Sequence, residues 1–157
     1  MQFRIDQRME ICSQMSQTPS LGRTRQGDLL LLYANYPDCM AGCRMFLIRS
    51  TNQGQTWSRP QLELTSTLDK GGIEATLSVL DDLAFIGYLE GSDLNRQPEN
   101  PRFCKPLRSE DGGRSWSSPQ LLEGDWGSIM PDAKIIRLRD SGRLLLPAWG
   151  FKGWLDR

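Results

Sequence analysis

The sequence predicts an all-β chain built from propeller-like blades, and three observations carry that reading. An octapeptide recurs: Ser50-Thr51-Asn52-Gln53-Gly54-Gln55-Thr56-Trp57 and Ser109-Glu110-Asp111-Gly112-Gly113-Arg114-Ser115-Trp116 both read Ser-x-Asp/Asn-x-Gly-x-Thr/Ser-Trp. Both copies continue as Ser-x-Pro-Gln-Leu, and Trp57 and Trp116 stand 59 residues apart. Apolar hairpins turn near residues 26, 82 and 141, at intervals of 56 and 59, so a second feature repeats in phase. No stretch of 11 or more residues carries a capped helical stripe. A repeat of this length marks stacked supersecondary units. Four antiparallel strands in each span of about 50–60 residues describe a propeller blade.

The elements follow in order. Residues 1–17 are polar with weak periodicity. Beyond them short apolar runs alternate with turn clusters, which predicts strands over 29–34, 44–50, 73–80, 83–89, 103–109, 134–138 and 143–148. Each is rich in Leu, Ile and aromatics and is bounded by Gly, Pro, Asp or Asn. Gln26-Gly27-Asp28, Asp81-Asp82 and Asp140-Ser141-Gly142 form the hairpin tips, because Asp tolerates left-handed backbone and Gly adopts it freely. In the recurring octapeptide the Asp111 or Asn52 side chain accepts backbone N–H groups, Gly113 or Gly54 takes positive φ, and Ser109 or Ser50 adds a hydroxyl bond. Trp116 and Trp57 pack over the strands. The motif reads as structural. Too few oxygen ligands lie near Asp111 for calcium.

Composition excludes several classes. The 157 residues hold 19 basic and 19 acidic side chains, a net charge of zero, so no cationic surface is expected for nucleic acid. No apolar run approaches the roughly 18 residues of a membrane helix. Arg4, Asp6, Arg8 and Glu10 interrupt any secretory apolar core, so the cytoplasm is the default expectation. The four cysteines, Cys12, Cys39, Cys43 and Cys104, read as free thiols, since Cys39 and Cys43 lack a matching second pair. There is no histidine, which excludes His-dependent triads and His-based metal sites. No metal or cofactor is expected. Chemistry would rest on carboxylates, tyrosine or arginine.

The two octapeptides resemble the Asp-box, or BNR repeat, of the sialidase superfamily. Residues Leu144-Leu145-Leu146-Pro147-Ala148 are similar to an inner-blade run of sialidase-like proteins, and Ile73-Glu74-Ala75-Thr76-Leu77 looks like a strand opening that precedes a family hairpin. The resemblance implies a six-bladed propeller, of which this chain supplies blade one (about 18–66), blade two (about 71–124) and the start of blade three (about 127–157). At this period a full ring needs about 350 residues. The chain is therefore expected to be a fragment or the N-terminal part of a longer propeller, inactive alone and prone to self-association or to binding its remaining blades.

The resemblance also implies the function: an exo-α-sialidase-type glycoside hydrolase acting on a terminal sugar of a glycan, with a non-catalytic Asp-box propeller that binds glycan or protein as the alternative. By family position, Asp38 in the loop Asn35-Tyr36-Pro37-Asp38-Cys39 is the acid/base candidate. Glu74 and Asp132, at corresponding openings of blades two and three, are the further catalytic carboxylates, because glycoside hydrolysis needs converging acid and base. Arg44 and Tyr36 are the substrate-binding candidates. Gln17 stands where the family has its first carboxylate-binding arginine.

Overall fold

The computed structural model describes residues 8–11, 19–35, 41–67, 71–92, 103–122, 128–130 and 134–151. Within them the chain is all-β, with antiparallel pairing throughout and no helix. The first sheet is a meander of β1 (Ser20–Arg23), β2 (Leu29–Ala34), β3 (Arg44–Ser50) and β4 (Leu62–Thr65), each strand hydrogen-bonded to the next. The second sheet runs β5 (Gly71–Leu80), β6 (Leu83–Ser92) and β7 (Phe103–Ser109). A third hairpin follows in two pieces: β8 (Ser128–Met130) pairs with β11 (Trp149–Phe151), and β9 (Ile136–Arg137) pairs with β10 (Leu144–Leu145).

The apolar runs form these strands because alternation gives each a buried face. On β2, Leu30, Leu32 and Ala34 are buried, and Met45 and Leu47 of β3 face the same way. Ile73, Ala75 and Leu77 of β5, Ile86 and Tyr88 of β6 and Leu107 of β7 meet them, so the core lies between the two sheets. Packing is tight at the crossing of β1 and β5. A Cβ on Gly22 would lie 2.3 Å from Val79 Cγ2, so glycine is required there.

The tips hold the expected chemistry. Thr24 N donates to Asp28 O at 2.9 Å and Gly27 N to Thr24 O at 3.0 Å, with Gly27 at φ 93°. Asp81 takes φ 63°, the left-handed region that Asp tolerates in a two-residue turn. Leu138 N donates to Arg143 O at 2.8 Å across the third tip.

The strands differ from the sequence-predicted ones at their ends. β5 and β6 run on through Gly71-Gly72 and Gly91-Ser92, because each supplies the other's ladder partners. β9 and β10 are shorter than predicted, and β1, β4, β8 and β11 are additional strands. Among the described residues the second sheet has three strands, and after β7 Gln120 N donates to Pro106 O at 3.2 Å and Leu122 N to Cys104 O at 2.9 Å. That segment therefore lies along β7 much as β4 lies along β3.

Candidate functional site

Register divides each sheet into two ends. The 24–28 and 81–82 tips and both octapeptide turns share one end, since Ser50 pairs with Leu29 and Ser109 with Ala84. The other end carries the β2–β3 and β6–β7 connections and the passage from β4 to β5.

At the turn end the two octapeptides share a common set of hydrogen bonds. Ser50 Oγ donates to Asn52 Oδ1 at 3.0 Å and accepts from Gly54 N at 2.8 Å; Ser109 Oγ donates to Asp111 Oδ1 and accepts from Gly113 N, both at 2.8 Å. Thr56 N reaches Asn52 Oδ1, and Ser115 N reaches Asp111 Oδ1, both at 2.9 Å. Ser58 N donates to Arg49 O and Ser117 N to Arg108 O, both at 2.8 Å. One bond reverses its polarity. Asn52 Nδ2 donates to Thr56 Oγ1 at 2.9 Å, whereas Ser115 Oγ donates to Asp111 Oδ2 at 2.6 Å, because a carboxylate only accepts. Bonds from the Ser115 hydroxyl, the Ser115 N–H and the Ser109 hydroxyl hold Asp111 well below the usual carboxylate range.

The second turn also joins the two sheets. Arg49, buried on β3, donates through Nη1 to Asp28 Oδ2 at 2.8 Å, through Nη2 to Gly112 O at 2.7 Å and through Nε to Gln61 Oε1 at 3.2 Å. Arg114 Nη2 lies 3.6 Å from the same Asp28 oxygen. Thr24 Oγ1 and Trp116 Nε1, both buried atoms, have no hydrogen-bond partner among the described residues.

The loop end holds a buried carboxylate with several donors. Glu90, fully buried on β6, accepts from Thr67 Oγ1 at 2.6 Å, from Ser66 Oγ at 3.0 Å, from the Thr67 backbone N–H and from Lys105 Nζ. Burial alone would raise its pKa, but the bonds from Lys105, Thr67 and Ser66 outweigh it and bring it down to about 2. Tyr88, two residues earlier on the same face, is pushed up to about 12 by burial and by the Glu90 charge. The cluster ties the β4–β5 passage to the second sheet and keeps a carboxylate ionised.

Sequence candidates fall around this end. Glu74 is half-buried opposite Leu89, on the face of β5 away from Ile73 and Ala75, and lies three residues inside its strand rather than at its opening. Arg44 begins β3, donates its backbone N–H to Asn35 Oδ1 at 2.9 Å and donates through Nη1 to Glu63 Oε1 at 3.0 Å, the Arg44 and Glu63 side chains being exposed. Asp38, Tyr36 and Asp132, together with Gln17, Cys12 and Cys39, lie outside the described residues. Cys43 and Cys104 are buried, and burial pushes the Cys104 thiol up to about 11. Glu90, Lys105 and Arg49 are not among the sequence candidates. Strand alternation would have found Glu90 and Arg49, since each continues an inward apolar series. Among the described residues no group of three His, Cys, Asp or Glu side chains is placed to hold a metal ion.

No family model matches the chain, and no curated protein matches it. Among solved structures, a protein of unknown function from Dyadobacter fermentans DSM 18053 aligns over 86% of this chain and 44% of its own, at 20% identity and a TM-score of 0.54. The K499G mutant of NanB sialidase from Streptococcus pneumoniae aligns over 77% of this chain and 21% of its own, at 13% identity and a TM-score of 0.41. The chain thus spans less than half the length of either structure. The Dyadobacter likeness is one of fold.

Proposed function

We propose that this chain forms two blades and the start of a third in a sialidase-like propeller, and that its loop-bearing end handles a terminal sugar of a glycan as a glycoside hydrolase. The observation that carries the reading is the shared hydrogen-bond core of the two Ser-x-Asp turns, both at the same end of their sheets. It leaves the opposite end, with Glu74, Arg44 and the Asp38 loop, as the face for chemistry. In this reading Asp38 is the acid/base and Glu74 and Asp132 are its partner carboxylates, with Arg44 and Tyr36 on the substrate. The test is turnover of a fluorogenic sialoside beside neutral-sugar analogues. Asp38→Asn should abolish turnover with folding retained; wild-type rates in that variant would refute the role.

A second reading is a non-catalytic propeller that binds glycan or protein, since the repeated turn braces the sheets and a fold of this kind does not by itself fix the chemistry. Glycan binding without turnover of any sugar would select this reading.

A further inference from the structure

We infer that the outward face of β7 around Arg108 is a docking surface for a polypeptide strand that ends in a Ser-x-Asp type of turn. The strand adds to the edge of β10 and β11, and a carbonyl of its turn seats on the Arg108 guanidinium. The inference rests on the repeat architecture proposed above and adds to it a surface and its recognition chemistry.

The precedent lies within the chain. Arg49 precedes Ser50 as Arg108 precedes Ser109, and the same interval of 59 carries Gln61 to Gln120. Arg49 is spent on the neighbouring sheet, where it holds the carbonyl of Gly112 inside the second turn at 2.7 Å. Arg108 occupies the corresponding position on the next sheet and is 56% exposed, with its Nη2 2.7 Å from Oε1 of the exposed Glu110. The donor that joins the first sheet to the second is therefore repeated on the second and turned outward.

The edge is repeated as well. In both full sheets the second strand of the leading hairpin pairs with a third strand, β2 with β3 and β6 with β7, and the third strand leads into the turn. The third hairpin has the same antiparallel form and already lies against the second sheet, with β8 beside β6 and β7 and with Ile135 N donating to Ser78 Oγ at 2.7 Å. Among the described residues, β10 and β11 pair only with β9 and β8. Leu144 and Leu145 on that edge are 40% and 39% exposed. A strand added there gains main-chain hydrogen bonds, the usual source of affinity at a sheet edge. The turn that follows it then reaches Arg108, as the 109–116 turn reaches Arg49.

The test uses a fluorescein-labelled peptide with the sequence of residues 103–122, titrated into the 157-residue protein and followed by anisotropy. Saturable binding is expected. Arg108→Ala should weaken it about tenfold or more, as loss of a charge-assisted bond implies, whereas the exposed control Arg59→Ala should not. A peptide carrying Ser109→Ala and Asp111→Ala, which cannot hold the turn, should bind the wild-type protein as weakly as the native peptide binds the Arg108→Ala protein. Absence of saturable binding, or binding indifferent to Arg108→Ala, overturns the proposal. So does a wild-type dimer that Arg108→Ala dissociates, since a second copy would then occupy the face. No sugar enters the assay, so its failure is separate from failure of the sialoside test.

Discussion

Removing the Arg49 side chain should unfasten the two sheets. Arg49→Met keeps much of the apolar stem and deletes three hydrogen bonds, to Asp28, Gly112 O and Gln61. Gly112 O loses its guanidinium donor, and a buried acceptor left without a partner costs roughly 1–3 kcal/mol. Asp28, whose side chain is 12% exposed, keeps only Arg114 at 3.6 Å as its charged partner. Breaking a buried ion pair from one side costs about 3–5 kcal/mol. Arg114 and the partial access of water to Asp28 place both costs near their lower limits, at about 4 kcal/mol in total. For a chain of this size that corresponds to a fall in Tm of about 8–16 °C. Urea denaturation followed by tryptophan fluorescence measures it. The double variant Arg49→Met with Asp28→Leu should recover a large part of the loss, because an apolar pair leaves no buried charge. Arg44→Met, which breaks the exposed pair with Glu63, should cost less than about 1 kcal/mol. The reasoning is refuted if Arg49→Met stays within about 0.5 kcal/mol of wild type, the range of ordinary surface changes.

Three further outcomes are expected. Asp111→Asn should cost little, because Asn52 already runs the same turn with one bond reversed, whereas Asp111→Ala should lose about 1–3 kcal/mol by equilibrium denaturation. Thr24→Val should be neutral or stabilising by up to about 1 kcal/mol, since it removes a buried hydroxyl that has no partner; a loss above that amount would show a bond to Thr24 Oγ1. Glu90 is depressed from its ordinary value near 4.5 to about 2, so its stabilisation is fully present above pH 4.5 and is lost as pH falls toward 2. Glu90→Gln should be less stable than wild type at neutral pH and should show a shallower loss of stability over that acid window.

Long apolar runs made the central strands legible: Leu29–Ala34, Arg44–Ser50 and Phe103–Ser109 have the predicted bounds. β1 and β4 carried too little signal of their own. Leu21, the one large apolar residue of β1, is 48% exposed, and the strand exists because β2 offers it a ladder. β4 is a four-residue edge strand whose signal is equally slight. In both cases the tertiary partner decides, and local propensity does not. The octapeptide was legible because its hydrogen bonds close within five residues of chain.

The Glu90 cluster was not legible in that way, since Ser66, Thr67 and Lys105 lie 24, 23 and 15 residues from it in sequence. Its position nevertheless was. Ala84, Ile86 and Tyr88 point inward on β6, and the next residue of that series is Glu90; Met45 and Leu47 point inward on β3, and the next is Arg49. A charge on the inward parity of an apolar strand must find an opposite charge or several hydrogen bonds, or the strand cannot form there. Glu74 has the opposite parity to Ile73 and Ala75, so the same rule places it away from the core between the sheets. Applied to charges as well as to leucines, strand alternation picks out Glu90 and Arg49 as the residues that brace the two sheets, and it sets Glu74 on the other face of β5.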